Sequence, residues 1–247
     1  AEFGGPEVCN FTDTPIPHYT EDEVLIKISH TGINYLDIYT REGMRGGNLP
    51  FILGTEGAGT VVSGVANVAG VKIKDNVVFR GSSTGTYAEF AAVPGWLTYP
   101  IPDDVNPEIA VALHLQGMTA HYLANDVFPL NESHTCLIHA GAGGVGSIAV
   151  QLAKWRGARI IATASDYNHD FLRELGVDVP VDYRTQNFED FASDVDVVLD
   201  PIGGDTQVRS LQILKEEGIL VSIVGLTSEG RTPSRKVRAA SRLVRPT

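Results

Sequence analysis

CLIHAGAGGVGSIAVQLAKWRGARIIATAS, Cys136 to Ser165, is the stretch that decides the fold class. It opens apolar from Cys136 to His139 and passes Gly141, Gly143 and Gly146 in a G-x-G-x-x-G spacing. A helical pattern from Val145 to Arg156 and a second strand-like run from Arg159 to Ala164 follow. Strand, glycine turn, helix and strand in that order predict a Rossmann-type dinucleotide-binding unit beginning at Thr135. Gly141 is expected to permit the tight turn, Gly143 to admit a pyrophosphate against the backbone, and Gly146 to let the helix pack on its strand. The helix N-terminus then offers main-chain N–H groups and a positive dipole end to the phosphates. Val145, Ile148, Ala149, Leu152 and Trp155 fall on or near one helix face, and Gly157 stands where a C-terminal cap belongs.

An NAD-preferring unit usually carries an acidic residue at the tip of the second strand, where it accepts from the ribose hydroxyls. Here that strand ends Ala162-Thr163-Ala164-Ser165, small and neutral, with Asp166 arriving only afterwards. The gap leaves room for a 2′-phosphate and favours NADPH over NADH, with Ser165, His169 and Tyr183 or Arg184 as candidate contacts.

Downstream of this core, Val195–Leu199 and Ile219–Val224 read as further strands around a helix near Thr206–Leu214, and His169–Leu175 as a helix. Such alternation predicts a doubly wound parallel sheet covered on both faces. Upstream, Glu23–Ser29, Gly57–Val65, Asn76–Phe79 and Tyr87–Val93 read as short strands separated by Gly and Asp-Asn turns, a small β-rich unit. Glu108–Asn125 has helical spacing after a proline-rich connection, Pro100–Pro107. The expected domains are 1–112, β-rich, and 113–247, dinucleotide-binding.

No apolar stretch is long enough to span a membrane. The formal net charge of −11 argues against nucleic acid as the main partner. A basic tail, Arg231, Arg235, Lys236, Arg238, Arg242 and Arg245, runs against that balance and reads as a solvated face or an interaction patch. Cys9 and Cys136 fit neither a disulfide framework nor a zinc spacing, and so sparse a use of cysteine fits a reducing, cytoplasmic setting.

Five segments carry a family likeness: GINYLDIYTREG (Gly32–Gly43), PFILGTEGAGTV (Pro50–Val61), LQGMTAHYL (Leu115–Leu123), HAGAGGVG (His139–Gly146) and DPIGGDT (Asp200–Thr206). In this order the chain resembles the medium-chain dehydrogenase/reductase superfamily, and within it the zinc-free NADPH:quinone oxidoreductases that include zeta-crystallin. The resemblance implies an α/β chain with a GroES-like catalytic domain ahead of the Rossmann domain, assembled as a homodimer. It also implies that Asn34 lies near the nicotinamide, that Tyr39 lines the substrate cleft, and that Thr119 sits beside the nicotinamide carboxamide. Gly143, Gly144 and Val145 match the family's pyrophosphate loop, and Tyr183 matches a tyrosine at the adenosine phosphate. Ile202, Gly203 and Gly225 fall on later loops at the nicotinamide half. Zinc-dependent relatives carry Cys and Gly-His-Glu where this chain reads Gly32-Ile33-Asn34 and Gly54-Thr55-Glu56, so no zinc is expected. Family members run on past the point where this chain stops, so a C-terminal part of the Rossmann domain is expected to be missing.

The expected reaction is hydride transfer from NADPH to a small-molecule acceptor, a quinone or an α,β-unsaturated carbonyl, with Tyr39, the Asn34 amide or a water as hydrogen-bond donor. Two alternatives stay open: an enoyl or enone reductase of the same superfamily, and a non-catalytic NADPH-binding redox sensor or structural protein.

Overall fold

In the computed structural model, which describes residues 2–64, 70–226 and 237–239, the apolar runs of the N-terminal half form one antiparallel sheet. Its strands are β1 Glu23–Thr31, β2 Glu56–Gly64, β3 Asn76–Arg80, β4 Phe90–Pro94 and β5 Thr98–Pro100, in the order β4-β1-β2-β3-β5. Val24, Ile26, Val61, Val77, Phe79, Ala91 and Val93 make its apolar core. A short helix, α1 Tyr35–Arg41, joins β1 towards β2. The expected strand at Tyr87 starts only at Phe90. Tyr87 is held out of the ladder by its N–H on the Leu53 carbonyl (2.9 Å) and its hydroxyl on Asp37 (2.9 Å). Val65, the expected end of the second strand, lies outside the described residues.

The chain divides into two units, Ala1–Leu115 and Gln116–Thr247, and the division falls inside α2, Pro107–His121. Pro107 opens α2 where a missing N–H costs nothing. The helix runs on as a π-helical stretch, Tyr122–Val127, so the expected end near Asn125 is matched in place but not in winding.

The second unit contains a six-stranded parallel sheet: β6 Thr135–Ile138, β7 Arg159–Ala164, β8 Val179–Asp182, β9 Val195–Asp200, β10 Leu214–Ser222 and β11 Val237–Ala239, in the order β11-β10-β9-β6-β7-β8. Counted from its own first strand this is 3-2-1-4-5-6, the Rossmann order, with the reversal between β6 and β9. Helices α3 Gly144–Trp155, α4 His169–Leu175 and α5 Gly204–Gln212 connect the strands. Cys136 and Ile138 point into one core layer with Ala149, Val150 and Ala153, whereas Leu137 points into the opposite layer with Ile161, Val198 and Leu220. Burial on both faces explains why these strands read as continuous apolar runs.

Three details depart from the sequence expectation. The face α3 buries is Gly146, Ala149, Val150 and Ala153, small residues that bring the helix close to the sheet, while Trp155 is 74% exposed and carries Arg156 4.7 Å over its ring. Strand β8 was not expected because Pro180 interrupts it, but an edge strand tolerates the lost donor. Strand β10 begins at Leu214 rather than Ile219, hidden by the charged Lys215-Glu216-Glu217, where Lys215 pairs with Asp196 at 2.7 Å. Gly157 does end α3 in the left-handed region, at φ 81°, and its N–H reaches the Lys154 carbonyl at 2.9 Å. Among the described residues no helix is long and apolar enough to cross a membrane. Of the basic tail only Arg238 falls within them, on β11; Arg231, Arg235, Lys236, Arg242 and Arg245 lie outside.

Two buried histidines make this fold acid-sensitive. Burial lowers His139 from 6.5 to about 4, and burial together with the charge of Arg80 lowers His114 from 6.5 to about 4. Both rings stay neutral in the folded chain while the unfolded chain takes up protons below 6.5, so stability falls as pH falls through that window. Each is expected to remove about 3 kcal/mol by about pH 4, partly offset by Glu56, whose carboxyl is raised by burial. Urea-unfolding midpoints should therefore drop between about pH 6.5 and 5, before most carboxylates titrate, and His114→Gln should flatten that slope. A midpoint constant across the range would contradict the assignment.

Candidate functional site

The glycine turn of the second unit is built from two constraints. A Cβ on Gly146 would run into the Ala140 carbonyl and lie 2.9 Å from Gly141 Cα, so only glycine lets α3 start this close to β6. A Cβ on Gly141 would stand 2.8 Å from the Ala162 methyl on β7. The left-handed residue of the turn is Ala140, at φ 49°, which corrects the task expected of Gly141: its need is space, not conformation. Thr163 braces the turn. Its Oγ1 accepts from Ala140 N–H at 3.2 Å and its carbonyl accepts from Gly141 N–H at 2.9 Å. His139 ties the same point to α5, with Nε2 2.9 Å from Ser210 Oγ and Nδ1 3.2 Å from Thr163 Oγ1. Because Ser210 gives its hydroxyl hydrogen to the Thr206 carbonyl, His139 Nε2 is the donor of that pair.

The first helical bond of α3 is Ser147 N–H to the Gly143 carbonyl at 2.8 Å, so the amides of Gly144, Val145 and Gly146 precede it. Their position suits an oxyanion at the helix head. Gly143 and Gly144 are exposed there, and a Cβ on Gly144 would meet the Gln116 side chain. Beside this turn His139, Val145, Gly146, Leu199, Asp200 and Pro201 line a small pocket between the ends of β6 and β9, at the topological switch point where open α/β sheets take their ligands.

At the other side of β6 the ends of β7 and β8 gather Ser165, Tyr167, His169, Tyr183 and Arg184. The Arg184 guanidinium lies 5.7 Å over the Tyr183 ring and 5.9 Å over that of Tyr167. The Tyr183 hydroxyl is shifted below its ordinary range by a hydrogen bond with Ser165 and then by Arg184. His169 is nearly buried, its Nε2 has no hydrogen-bond partner among the described residues, and its Nδ1 lies 3.8 Å from the exposed Asp166. Tyr167 was not singled out in the sequence. Its only signal there was nearness to the strand end.

The loops after β9 and β10 hold Ile202, Gly203 and Gly225, at the ends of strands on the opposite side of β6 from β7 and β8. Thr119 lies half-buried on α2.

In the first unit, Asn34 caps α1 and is buried. Its backbone N–H donates to Asp37 Oδ2 at 2.8 Å, an N-cap/N3 pairing that explains why seven residues rich in Tyr, Ile and Thr turn helical here. Asp37 is a hub that also accepts from Thr55 Oγ1 (2.6 Å) and Tyr87 (2.9 Å). Asn34 Nδ2 donates to Glu56 Oε1 at 2.7 Å, and Glu56 Oε2 accepts from Leu115 N–H at 2.9 Å. Tyr39, half-buried on the same helix, has its ring 6.1 Å from that of the exposed Tyr35. A cavity of about 550 Å³ opens beside this network, lined by Asp37, Thr40, Asn48, Leu53, Thr55 and Ser82 among others. Asp37 and Tyr87 were missed as site-forming residues, although Asn34 followed three positions later by Asp37 is a capping signal the sequence does contain.

The residues at this position do not suit zinc. They offer an amide, a hydroxyl and a single carboxylate whose two oxygens are taken by Asn34 and Leu115, and Thr55 is spent on Asp37. Among the described residues no group of three or more His, Cys, Asp or Glu could hold a metal ion.

Residues 20–103 match the alcohol dehydrogenase GroES-like domain, and residues 144–243 match the family described as zinc-binding dehydrogenase. The chain is 34% identical to a quinone oxidoreductase of Pseudomonas aeruginosa over 90% of its own length and 71% of that protein's. It is 32% identical to the human synaptic vesicle membrane protein VAT-1 homolog over 97% of its own length, and spans 63% of that protein. Among solved structures it is similar to the quinone oxidoreductase of Coxiella burnetii (TM-score 0.89, 32% identity, 96% of this chain and 80% of that one). The Escherichia coli quinone oxidoreductase complexed with NADPH gives a TM-score of 0.84 at 29% identity, over 100% of this chain and 79% of that one. The CurK enoyl reductase gives 0.85 at 26% identity, over 97% and 78%. A GroES-like sheet, a Rossmann sheet and relatives of this closeness place the chain in the quinone oxidoreductase family of the medium-chain dehydrogenase/reductase superfamily.

Proposed function

We propose that the chain belongs to an NADPH-dependent oxidoreductase that passes hydride to a quinone or a related α,β-unsaturated carbonyl without zinc. The observation that carries this reading is the glycine turn at the head of α3, set at the switch point of a Rossmann sheet, in a family whose E. coli member was solved with NADPH. Bound NADPH supplies the hydride. The amides of Gly144, Val145 and Gly146 would hold its pyrophosphate, with Gly141 and Gly143 keeping the backbone accessible. Thr119, Ile202, Gly203 and Gly225 would border the nicotinamide half. Arg184, Tyr183, Ser165 and His169 would receive the 2′-phosphate. A homodimer in the cytoplasm belongs to the same reading, on the family resemblance.

The polar residues of the first unit would serve the acceptor. One N–H of Asn34 is spent on Glu56, which leaves Tyr39 as the hydroxyl best able to donate to charge developing on the acceptor oxygen. Asp37 and Glu56 keep α1 and the Asn34 amide in place. The likeness to the CurK enoyl reductase supports a second reading, in which the protein is an enoyl or enone reductase.

Two experiments test the proposal. Arg184→Ala is expected to weaken NADPH binding about tenfold and leave NADH within about twofold, the loss of one charge-assisted phosphate contact. Equal effects on both nucleotides would remove Arg184 from 2′-phosphate recognition. With NADPH and a small para-quinone, the protein is expected to oxidise the cofactor at a rate unchanged by a metal chelator, and Tyr39→Phe should lower kcat about 10-fold or more with NADPH affinity intact. Reduction of enoyl thioesters but not quinones would favour the second reading, and an unchanged kcat would take Tyr39 out of the chemistry.

A further inference from the structure

Asp200, the last residue of β9, is 1% exposed, and its carboxylate is shared between the loop that follows β9 and a side chain of α5. Its Oδ1 accepts the N–H groups of Ile202 (3.0 Å) and Gly203 (2.8 Å), and its Oδ2 accepts from Gln207 Nε2 at 2.7 Å. Gln207 stands on α5, fully buried, where an apolar residue would fill the inner face of the helix at no desolvation cost. Its Nε2 also donates to the Gly225 carbonyl at 2.9 Å. A primary amide nitrogen has two hydrogens, and this one spends one on each loop. Ser222 Oγ adds a second bond to the same Gly225 carbonyl at 2.9 Å. Gly203 and Gly225 both sit at positive φ, 75° and 96°, so neither residue continues the strand geometry before it.

We propose that Gln207 is a positioning residue for the nicotinamide end of the cofactor, clamping the loop after β10 to the loop after β9 through Asp200. The proposal rests on the reading of the second unit as an NADPH site. It adds that one buried amide sets the spacing of the two loops that border the nicotinamide. The strand order gives the clamp its selectivity. Strands β9 and β10 lie on one side of β6, while β7 and β8, which carry the proposed 2′-phosphate contacts, lie on the other. Disturbing Gln207 should therefore be felt at the nicotinamide end and not at the adenosine end.

The test compares two ligands on the full chain: NADPH, followed by its fluorescence, and adenosine 2′,5′-bisphosphate, which keeps the adenosine end and lacks nicotinamide. Gln207→Met keeps the volume and removes the donor. It is expected to raise the Kd of NADPH about tenfold and to leave that of the bisphosphate within about twofold. Ser222→Ala, which spares Gln207, should raise the NADPH Kd about threefold with the same selectivity, and it decides the matter alone if Gln207→Met does not fold. Parallel weakening of both ligands would mean that Gln207 only supports the core, and unchanged NADPH binding would mean that the clamp sets nothing; either result overturns the proposal. A wild-type protein that binds neither ligand would instead overturn the NADPH reading, and the clamp with it.

Discussion

The distance between the first turn of α3 and the Ala140 carbonyl governs the second unit, and a hydrogen atom in place of a side chain at Gly146 makes that distance possible. Close approach brings the helix axis, and with it three main-chain amides, to the mouth of the switch point. It also obliges the chain to turn sharply between β6 and α3, and the residue that takes the left-handed conformation is an alanine. A non-glycine residue there costs about 1–2 kcal/mol. The Thr163 hydroxyl, which accepts from the Ala140 amide and is itself met by His139, offsets that strain. The loop is thus braced from the neighbouring strand and from α5, and such bracing gives an anion site its shape before the anion arrives.

This constraint was legible in the sequence because it is written in residue types that do one thing. Glycine at three fixed spacings, apolar runs at strand length and Gly157 at the helix end have few other readings. What escaped depends on partners distant in the chain. Helix α1 is short and includes residues that prefer strands; it forms because Asp37 accepts the N–H of its cap, Asn34, and is itself held by Thr55 and Tyr87, 18 and 50 positions away. Strand β8 escaped because proline is tolerated only at a sheet edge, and the edge is known only once the strand order is known. Trp155 was assigned inward on periodicity, but small residues one step around the helix allow the tighter packing, so the large ring is left outside.

The candidate site divides along the same line. The glycine turn could be read residue by residue, whereas the group at the ends of β7 and β8 could be read only as a list of candidates. Its order comes from Arg184 lying over two tyrosine rings contributed by different strand ends. An arginine so held has fewer rotamers to lose on meeting a phosphate. In a chain of net charge −11, an exposed arginine set over two rings is a local positive centre that the overall field does not provide.

The replacement of metal ligands by hydrogen bonds bears on what the proposed enzyme could reduce. Asn34, Thr55 and Glu56, which the family resemblance sets against a zinc set, turn their polar atoms onto one another and onto Asp37, and burial raises the Glu56 carboxyl. On the proposed zinc-free reading, the developing oxyanion would be stabilised by neutral donors, and a single hydroxyl such as that of Tyr39 would supply less than a metal ion. Isolated ketones and aldehydes concentrate the incoming charge on one oxygen and lean more heavily on such a donor. Quinones and conjugated enones spread it over a π-system as the hydride arrives, so that one hydrogen bond at the far oxygen suffices. On the proposed reading, a single neutral donor therefore favours conjugated acceptors over isolated carbonyls.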